Sequence, residues 1–225
     1  MEARTDEKTE QIVARVFGCP AEVARQLLGR GRFRAYERHA VVVRQGDRLA
    51  FAWLVIDGRA HALLYSADGQ TVFLQDYGPG DLFGALGELD RPAQEADVVA
   101  AVRLATLIFD GGEIALLAER HGCIGLALSR MLLRRLRQAS SRMYERAALT
   151  AVGRVHAELL RLGRDAAAAM TIRPAPILSE LALRVATTRE TASRAVSALE
   201  RRGIIRRESE ALVIVAPRRL EEMVL

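Results

Sequence analysis

Two hydrophobic periods divide the chain near residue 111. Before that point, short apolar runs alternate with turn signals: HAVVVR (39–44) before QGDR, LAFAWLVI (49–56) before Asp57-Gly58, RAHALLYS (59–66) before ADGQ, TVFLQDY (71–77) before GPGD, and VVAAVRLATLIF (98–109) before DGG. Runs of this length, joined by Asp-Gly turns that tolerate positive φ, predict an antiparallel sandwich or jelly-roll β-barrel. Ahead of them, TEQIVARVF and AEVARQLLG carry apolar residues at three- and four-residue steps, which predicts a short helical lead-in.

From Ile114 to Leu149 the period becomes helical, with Leu132, Leu136, Ser140, Met143 and Ala147 recurring between flanking arginines. At 1.5 Å per residue such a helix is ~50 Å long and outruns a small domain. Its stripe could lie on the barrel or face a twin helix; a barrel covers only part of it, which favours a coiled-coil dimer.

AVGRVHAELLRLG (151–163) then reads as an amphipathic helix, and DAAAAMTIRPAP (165–176) as a loop or short strand punctuated by Pro174 and Pro176. In ILSELALRVATTRETASRAVSALERRGII, a first helix at 178–185 is apolar at Leu178, Leu181 and Val185, and Ala182 is small enough for another helix to cross closely. Thr187 or Thr188 supplies an N-cap, and the next helix runs to Gly203, which is helix-turn-helix spacing. Its packing face is Ala192, Ala195, Val196 and Leu199. Thr188, Arg189, Glu190, Ser193 and Arg194 occupy its N-terminal turns on the polar side. Arginine donates twice to guanine O6 and N7, glutamate accepts from cytosine N4, and hydroxyls reach phosphates or base edges. IIRRESEALVIV closes the pattern as two short strands around a polar turn, a wing. The bland alternative is a solvated surface on a small helical domain; cap, crossing residue, polar face and wing together favour DNA reading. The fold class is therefore α+β, with a barrel at 1–110, a dimerisation helix at 111–149 and a winged helix-turn-helix at 150–225.

Charge sharpens this division. Residues 1–110 hold 13 basic and 16 acidic side chains, whereas 111–225 hold 20 basic and 12 acidic, so the C-terminal half expects a polyanionic partner. Lys8 is the single lysine among 33 basic residues, a bias that a GC-rich genome explains as well as function does. Cys19 and Cys123 are far apart in sequence, which argues against a disulfide framework, a zinc site or an iron-sulfur cluster. No apolar window reaches the length of a membrane span and the N-terminus is charged, so a cytoplasmic protein without membrane contact is expected.

Over nearly its whole length the chain resembles the cyclic-AMP receptor protein and fumarate-nitrate regulator family of bacterial transcription factors. TTRETASR matches the family's recognition-helix motif at Arg189, Glu190 and Arg194, with Ser193 fitting the fumarate-nitrate branch; Gly153 and Arg154 fit a GxRxxxxLL-like pattern, and PGDLFGALGEL lies in the barrel. The resemblance implies a homodimer on a palindromic double-stranded DNA operator, a cyclic-nucleotide-binding-like effector barrel, and RNA polymerase as a partner if the protein activates. Ala186 departs from the usual turn glycine.

The effector pocket departs further. Where nucleotide-binding members carry glycine-glutamate after the PGD turn, this chain has Gly84-Ala85; where they carry arginine-serine for the cyclic phosphate, it is expected to have Glu95-Ala96. A carboxylate repels a phosphate, so cyclic AMP is not expected to bind in the usual way. On the long helix, Arg135 and Ala139-Ser140 match ligand-contacting positions. A filled pocket and a retuned small-molecule nucleotide effector remain the two readings. The retuned reading includes a cyclic dinucleotide held by arginines 134, 135, 137 and 154, which serve equally well as solvated surface. His39, His61, His121 and His156 show no arrangement for a haem, so neither cofactor nor metal is expected. The rivals are a signalling module whose winged helix binds protein, disfavoured by the basic C-terminal half, and an enzyme, for which no nucleophile-base pair or phosphate-binding glycine loop is present.

Overall fold

The computed structural model describes residues 2–66, 68–85, 93–166 and 170–224. Residues 86–89 of PGDLFGALGEL, Ala67 of the ADGQ turn and residues 167–169 of the 165–176 segment therefore lie outside the described residues. The chain divides into two compact units, residues 1–70 with 74–137 and residues 138–225 with 71–73.

The first unit opens with two helices rather than one, α1 (Glu2–Phe17) and α2 (Ala21–Arg30), separated at Pro20, which begins α2 without donating an N–H. Eight strands follow: β1 (Arg32–Tyr36), β2 (Val41–Val43), β3 (Phe51–Asp57), β4 (Ala60–Tyr65), β5 (Thr71–Tyr77), β6 (Leu82–Gly84), β7 (Asp97–Ala100) and β8 (Leu104–Asp110). They form two antiparallel four-stranded sheets, ordered β1-β8-β3-β6 and β2-β7-β4-β5, the jelly-roll arrangement. The sequence pattern hides β1, because Arg32 and Arg34 are polar and exposed on an edge strand. It also merges β7 with β8, which Ala101–Arg103 separate.

The run in β3 is apolar throughout because both of its faces are covered. Trp53 and Val55 join Tyr77, Phe83, Val98 and Leu104 inside the barrel, while Leu54 joins Phe17, Leu27, Phe109 and Ile114 in the layer beneath α1, α2 and α3 (Gly111–Arg120). Asp110 caps α3 by accepting from the Gly112 N–H at 2.9 Å. The helical run expected from Ile114 to Leu149 is broken at His121, which turns to an extended backbone (φ −124°, ψ 98°) before α4 (Gly122–Ala148) restarts. That leaves 27 residues, about 40 Å, in the long helix. Its inner side contributes Ile124, Ala127 and Met131 to the core.

In the second unit, α5 (Ala151–Arg164), α6 (Leu178–Arg184) and α7 (Arg189–Arg201) pack around Val155, Leu159, Leu181, Ala192, Val196 and Leu199. β9 (Thr171–Ile172), β10 (Ile205–Arg207) and β11 (Leu212–Ile214) form a small antiparallel sheet ordered β10-β11-β9. A terminal helix, α8 (Pro217–Glu222), was not legible in the sequence; Leu220 alone anchors it in the core.

His156 of α5 is buried, and its Nδ1 lies 3.1 Å from the Met223 carbonyl just after α8, a distance that fits an Nδ1–H donor. Burial pushes its pKa below the ordinary histidine value of about 6.5. The folded state therefore holds the neutral ring while the unfolded state takes up a proton as pH drops through about 6.5, so stability is full above that pH and declines below it. Thermal unfolding from pH 8 to pH 5 should show this decline, and a His156→Asn variant should lose that part of the slope.

Candidate nucleic-acid interface and effector barrel

The helix-turn-helix is set by small side chains and one cap. Ala182 on α6 and Ala192 and Ala195 on α7 are 3% exposed or less, so the helices cross closely in the unit's core. Between them, the Ala186 amide donates to the Leu183 carbonyl and the Thr187 amide to the Ala182 carbonyl. Ala186 adopts φ 50°, a left-handed conformation costing a side chain about 1 kcal/mol. Arg154 supports it, donating from its three side-chain nitrogens to the carbonyls of Leu149, Val185 and Ala186. Thr188, rather than Thr187, caps α7: its hydroxyl oxygen accepts from the Thr191 N–H at 3.2 Å.

With Ala192, Ala195, Val196 and Leu199 buried, helical periodicity turns Arg189, Glu190 and Arg194 to solvent, with Ser193 half-buried beside them. The five sequence-selected positions thus share one surface at the N-terminal end of α7. Neither Arg189 nor Arg194 enters a salt bridge among the described residues; Arg194 Nε reaches only its own helix, at the Glu190 carbonyl, 3.4 Å away. The Glu190 carboxyl is held below the usual carboxylate range, chiefly by a hydrogen bond from its own backbone N–H and then by the Thr188 hydroxyl. The surface therefore presents donors from two arginines and an ionised acceptor between them.

The wing is different. Glu208 pairs with Arg206 at 3.1 Å and with Arg173 at 3.9 Å, and Glu200 of α7 pairs with Arg207 at 3.4 Å. Its turn closes with the Glu208 N–H donating to the Ala211 carbonyl at 2.8 Å, and the Ala175 N–H fastens it by donating to the Glu210 carbonyl.

In the barrel, the Trp53 ring stacks on Phe83 at 5.6 Å, Phe83 meets Tyr77 at 4.7 Å, and Trp53 Nε1 donates to the Tyr36 hydroxyl at 3.0 Å. Arg135 of α4 extends this row: its guanidinium sits 5.2 Å over the Tyr77 ring and donates to the Leu82 carbonyl. Burial pushes the Tyr77 phenol above its ordinary pKa, against the lowering effect of Arg135. A cavity of about 30 Å³ lies between Leu82, Phe83, Gly84, Met131 and Arg135, room for one or two waters.

Of the expected effector residues, Gly84 and Arg135 meet at this cavity. Gly84 has φ 97°, and a Cβ there would stand 2.5 Å from the Phe51 carbonyl oxygen and 2.7 Å from the Trp53 ring, so only glycine fits. Ala85 is buried and donates its N–H to the Phe51 carbonyl. Ala96 is buried in the barrel core, whereas Glu95, one residue earlier, is exposed. Gln94 is half-buried and donates its side-chain amide to the Ala96 carbonyl at 2.9 Å. Ala139 and Ser140 are exposed on α4, as are Arg134 and Arg137; the donors of Arg154 are committed to backbone. Sequence reasoning missed Tyr77, whose ring lies under the Arg135 guanidinium.

Among the described residues, no group of three or more His, Cys, Asp or Glu side chains could hold a metal ion, and no helix is long and apolar enough to cross a membrane.

Comparison with known proteins defines the class. Residues 33–121 match the cyclic nucleotide-binding domain family, and residues 153–223 match the Crp-like helix-turn-helix domain. The chain is 31% identical over 174 residues to the cyclic AMP receptor protein of Thermus thermophilus, covering 77% of this chain and 79% of that protein. It therefore belongs to the Crp family and is a DNA-binding transcription regulator. The structure of FixK2 from Bradyrhizobium japonicum superposes with a TM-score of 0.77 at 21% identity, over 86% of this chain and 96% of that one. The c-di-GMP-responsive global regulator CLP of Xanthomonas campestris does so with a TM-score of 0.73 at 20% identity, over 87% and 99%.

Capping at Thr188 supports the whole reading surface. A Thr188→Ala variant should lose ~1 kcal/mol of stability, read by urea denaturation of the full chain.

Proposed function

We propose that the protein acts in the cytoplasm as a homodimer on an inverted-repeat DNA operator, with one recognition helix, α7, entering the major groove of each half-site. The observation that carries this reading is the surface of Arg189, Glu190 and Arg194 at the start of α7, exposed and, among the described residues, with neither arginine held in a salt bridge. The dimer is supported by the stripe on α4, where Leu132, Leu136, Met143 and Tyr144 are each more than half exposed, too much apolar surface for a lone helix. Two recognition helices about one turn of DNA apart would then read adjacent grooves. Arg189 and Arg194 serve as guanine readers, Glu190 as an acceptor from cytosine, and Thr188 and Ser193 as phosphate or base-edge contacts. If the protein activates, RNA polymerase is its further partner.

Cyclic AMP does not bind this barrel in the usual way on this reading. Ala85 offers no carboxylate for a ribose, and Arg135 is engaged with Leu82 and Tyr77. A second reading keeps the same DNA function under the control of a different nucleotide, for example a cyclic dinucleotide. It is favoured by the exposed Arg134 and Arg137 and by the likeness to a regulator described as c-di-GMP-responsive. Fluorescence anisotropy with an inverted-repeat duplex and a scrambled control, without ligand and with a panel of cyclic nucleotides, tests both: specific binding without ligand is expected, and binding only with one nucleotide favours the second reading.

Arg194→Ala should lose ~1–3 kcal/mol of discrimination between the operator and scrambled DNA, and Glu190→Ala should relax preference at one base pair of each half-site. Competition against single-base operator variants measures both, and an equal loss on all duplexes would make Arg194 a phosphate contact. Affinity should fall steeply with salt, as phosphate neutralisation requires.

A further inference from the structure

The connection between α4 and α5 is two residues long, Leu149 and Thr150, with Thr150 capping α5 by accepting from the Gly153 N–H. Two backbone residues alone would let the helices swivel, but two arginines of α5 span the joint. Arg154 donates to the Leu149 carbonyl at 3.0 Å on the α4 side. With its other two nitrogens it donates to Val185 at 2.8 Å and Ala186 at 3.2 Å, in the turn that aims α7. About two turns further along α5, Arg161 pairs with Glu145 of α4 and with Glu158. Glu158 is 1% exposed and also pairs at 3.3 Å with Arg184, the last residue of α6. The last turns of α4 are thus tied through Arg154 to the turn before α7 and through Arg161 and Glu158 to the end of α6.

We propose that Arg154 and Glu145 are positioning residues that fix where the recognition helix stands relative to the end of the dimerisation helix, and that this fastening makes the protein selective for the spacing between operator half-sites. The inference rests on the dimeric, inverted-repeat reading above. Recognition depends on Arg189, Glu190 and Arg194, which neither strap touches; among the described residues the Glu145–Arg161 pair also makes no contact with the turn before α7, so loosening it relaxes spacing without altering half-site reading. Inserting or deleting two base pairs rotates one half-site by about 70° around the duplex. A fixed pair of recognition helices cannot follow that rotation, and a loosely tied pair can.

The test uses the full chain and DNA that the wild type itself selects from a randomised duplex library. Affinity is then measured on the selected inverted repeat, on the same half-sites with the spacer changed by two base pairs, and on a single half-site. Arg154→Lys keeps the charge but gathers its donors on one nitrogen, which cannot span carbonyls that the guanidinium reaches from three, and Glu145→Gln removes the ion pair while leaving Arg161 with Glu158, so neither strips a partner from the buried carboxylate. Wild type should prefer its own spacing by about tenfold or more, and Glu145→Gln should bring that ratio to within about twofold while its single half-site affinity stays within about twofold; Arg154→Lys, which also loosens the Ala186 turn, should relax the spacing ratio by more than it weakens the single half-site. Two results overturn the inference alone: variants that keep the wild-type spacing ratio, or variants that lose affinity equally on all three duplexes. A wild type that selects no inverted repeat overturns the dimeric reading and the inference with it.

Discussion

Ala182 on α6 and Ala192 and Ala195 on α7 are nearly inaccessible, and the close crossing they permit fixes everything that the DNA-binding unit does. Once Ala192 and Ala195 hold the inner face of α7 against Ala182 of α6, the 3.6-residue period leaves Arg189, Glu190 and Arg194 no inward direction. A larger side chain at any of the three would separate the helices and force the turn between them to lengthen. That turn is already demanding, since Ala186 holds a left-handed backbone that glycine adopts without strain. The three carbonyl bonds of Arg154 offset part of that cost, so a family departure in the turn and an arginine thirty-two residues earlier belong to one arrangement.

A comparable dependence governs the barrel. β3 is covered on both faces, so its two sets of side chains serve two cores, and Gly84 on the neighbouring β6 must remain glycine for β6 to lie against Phe51 and Trp53. The row Tyr36, Trp53, Phe83 and Tyr77 then gives the barrel interior an aromatic character, finished at one end by the guanidinium of Arg135.

The DNA-reading half was more legible than the effector half, for physical reasons. Cap, packing face and polar face of a helix recur within a few residues of one another, so Thr188, Ala192 and Arg194 could be assigned locally. The barrel depends on pairings between distant strands. An exposed edge such as β1 carries little hydrophobic signal, and a one-residue shift in parity exchanges the inside of a strand for its outside. Glu95 and Ala96 illustrate this: of two adjacent expected residues, one is exposed and the other is buried in the barrel. The break at His121 was invisible because residues on both sides of it keep a helical period. The roles of Arg154 and Arg161 were equally hidden, because nothing in spacing distinguishes an arginine that binds main-chain carbonyls from one in solvent.

The pairing of charges in the wing has a consequence beyond the operator itself. With Arg173 and Arg206 facing Glu208, and Arg207 facing Glu200, that element brings little excess positive charge to the phosphate backbone. Attraction to any duplex, whatever its sequence, is correspondingly weaker. In a cell a regulator is in competition with roughly 10⁶ or more nonspecific sites. A protein whose wing adds little to this background spends less of its copy number on the rest of the chromosome, so fewer molecules are needed to occupy a given promoter.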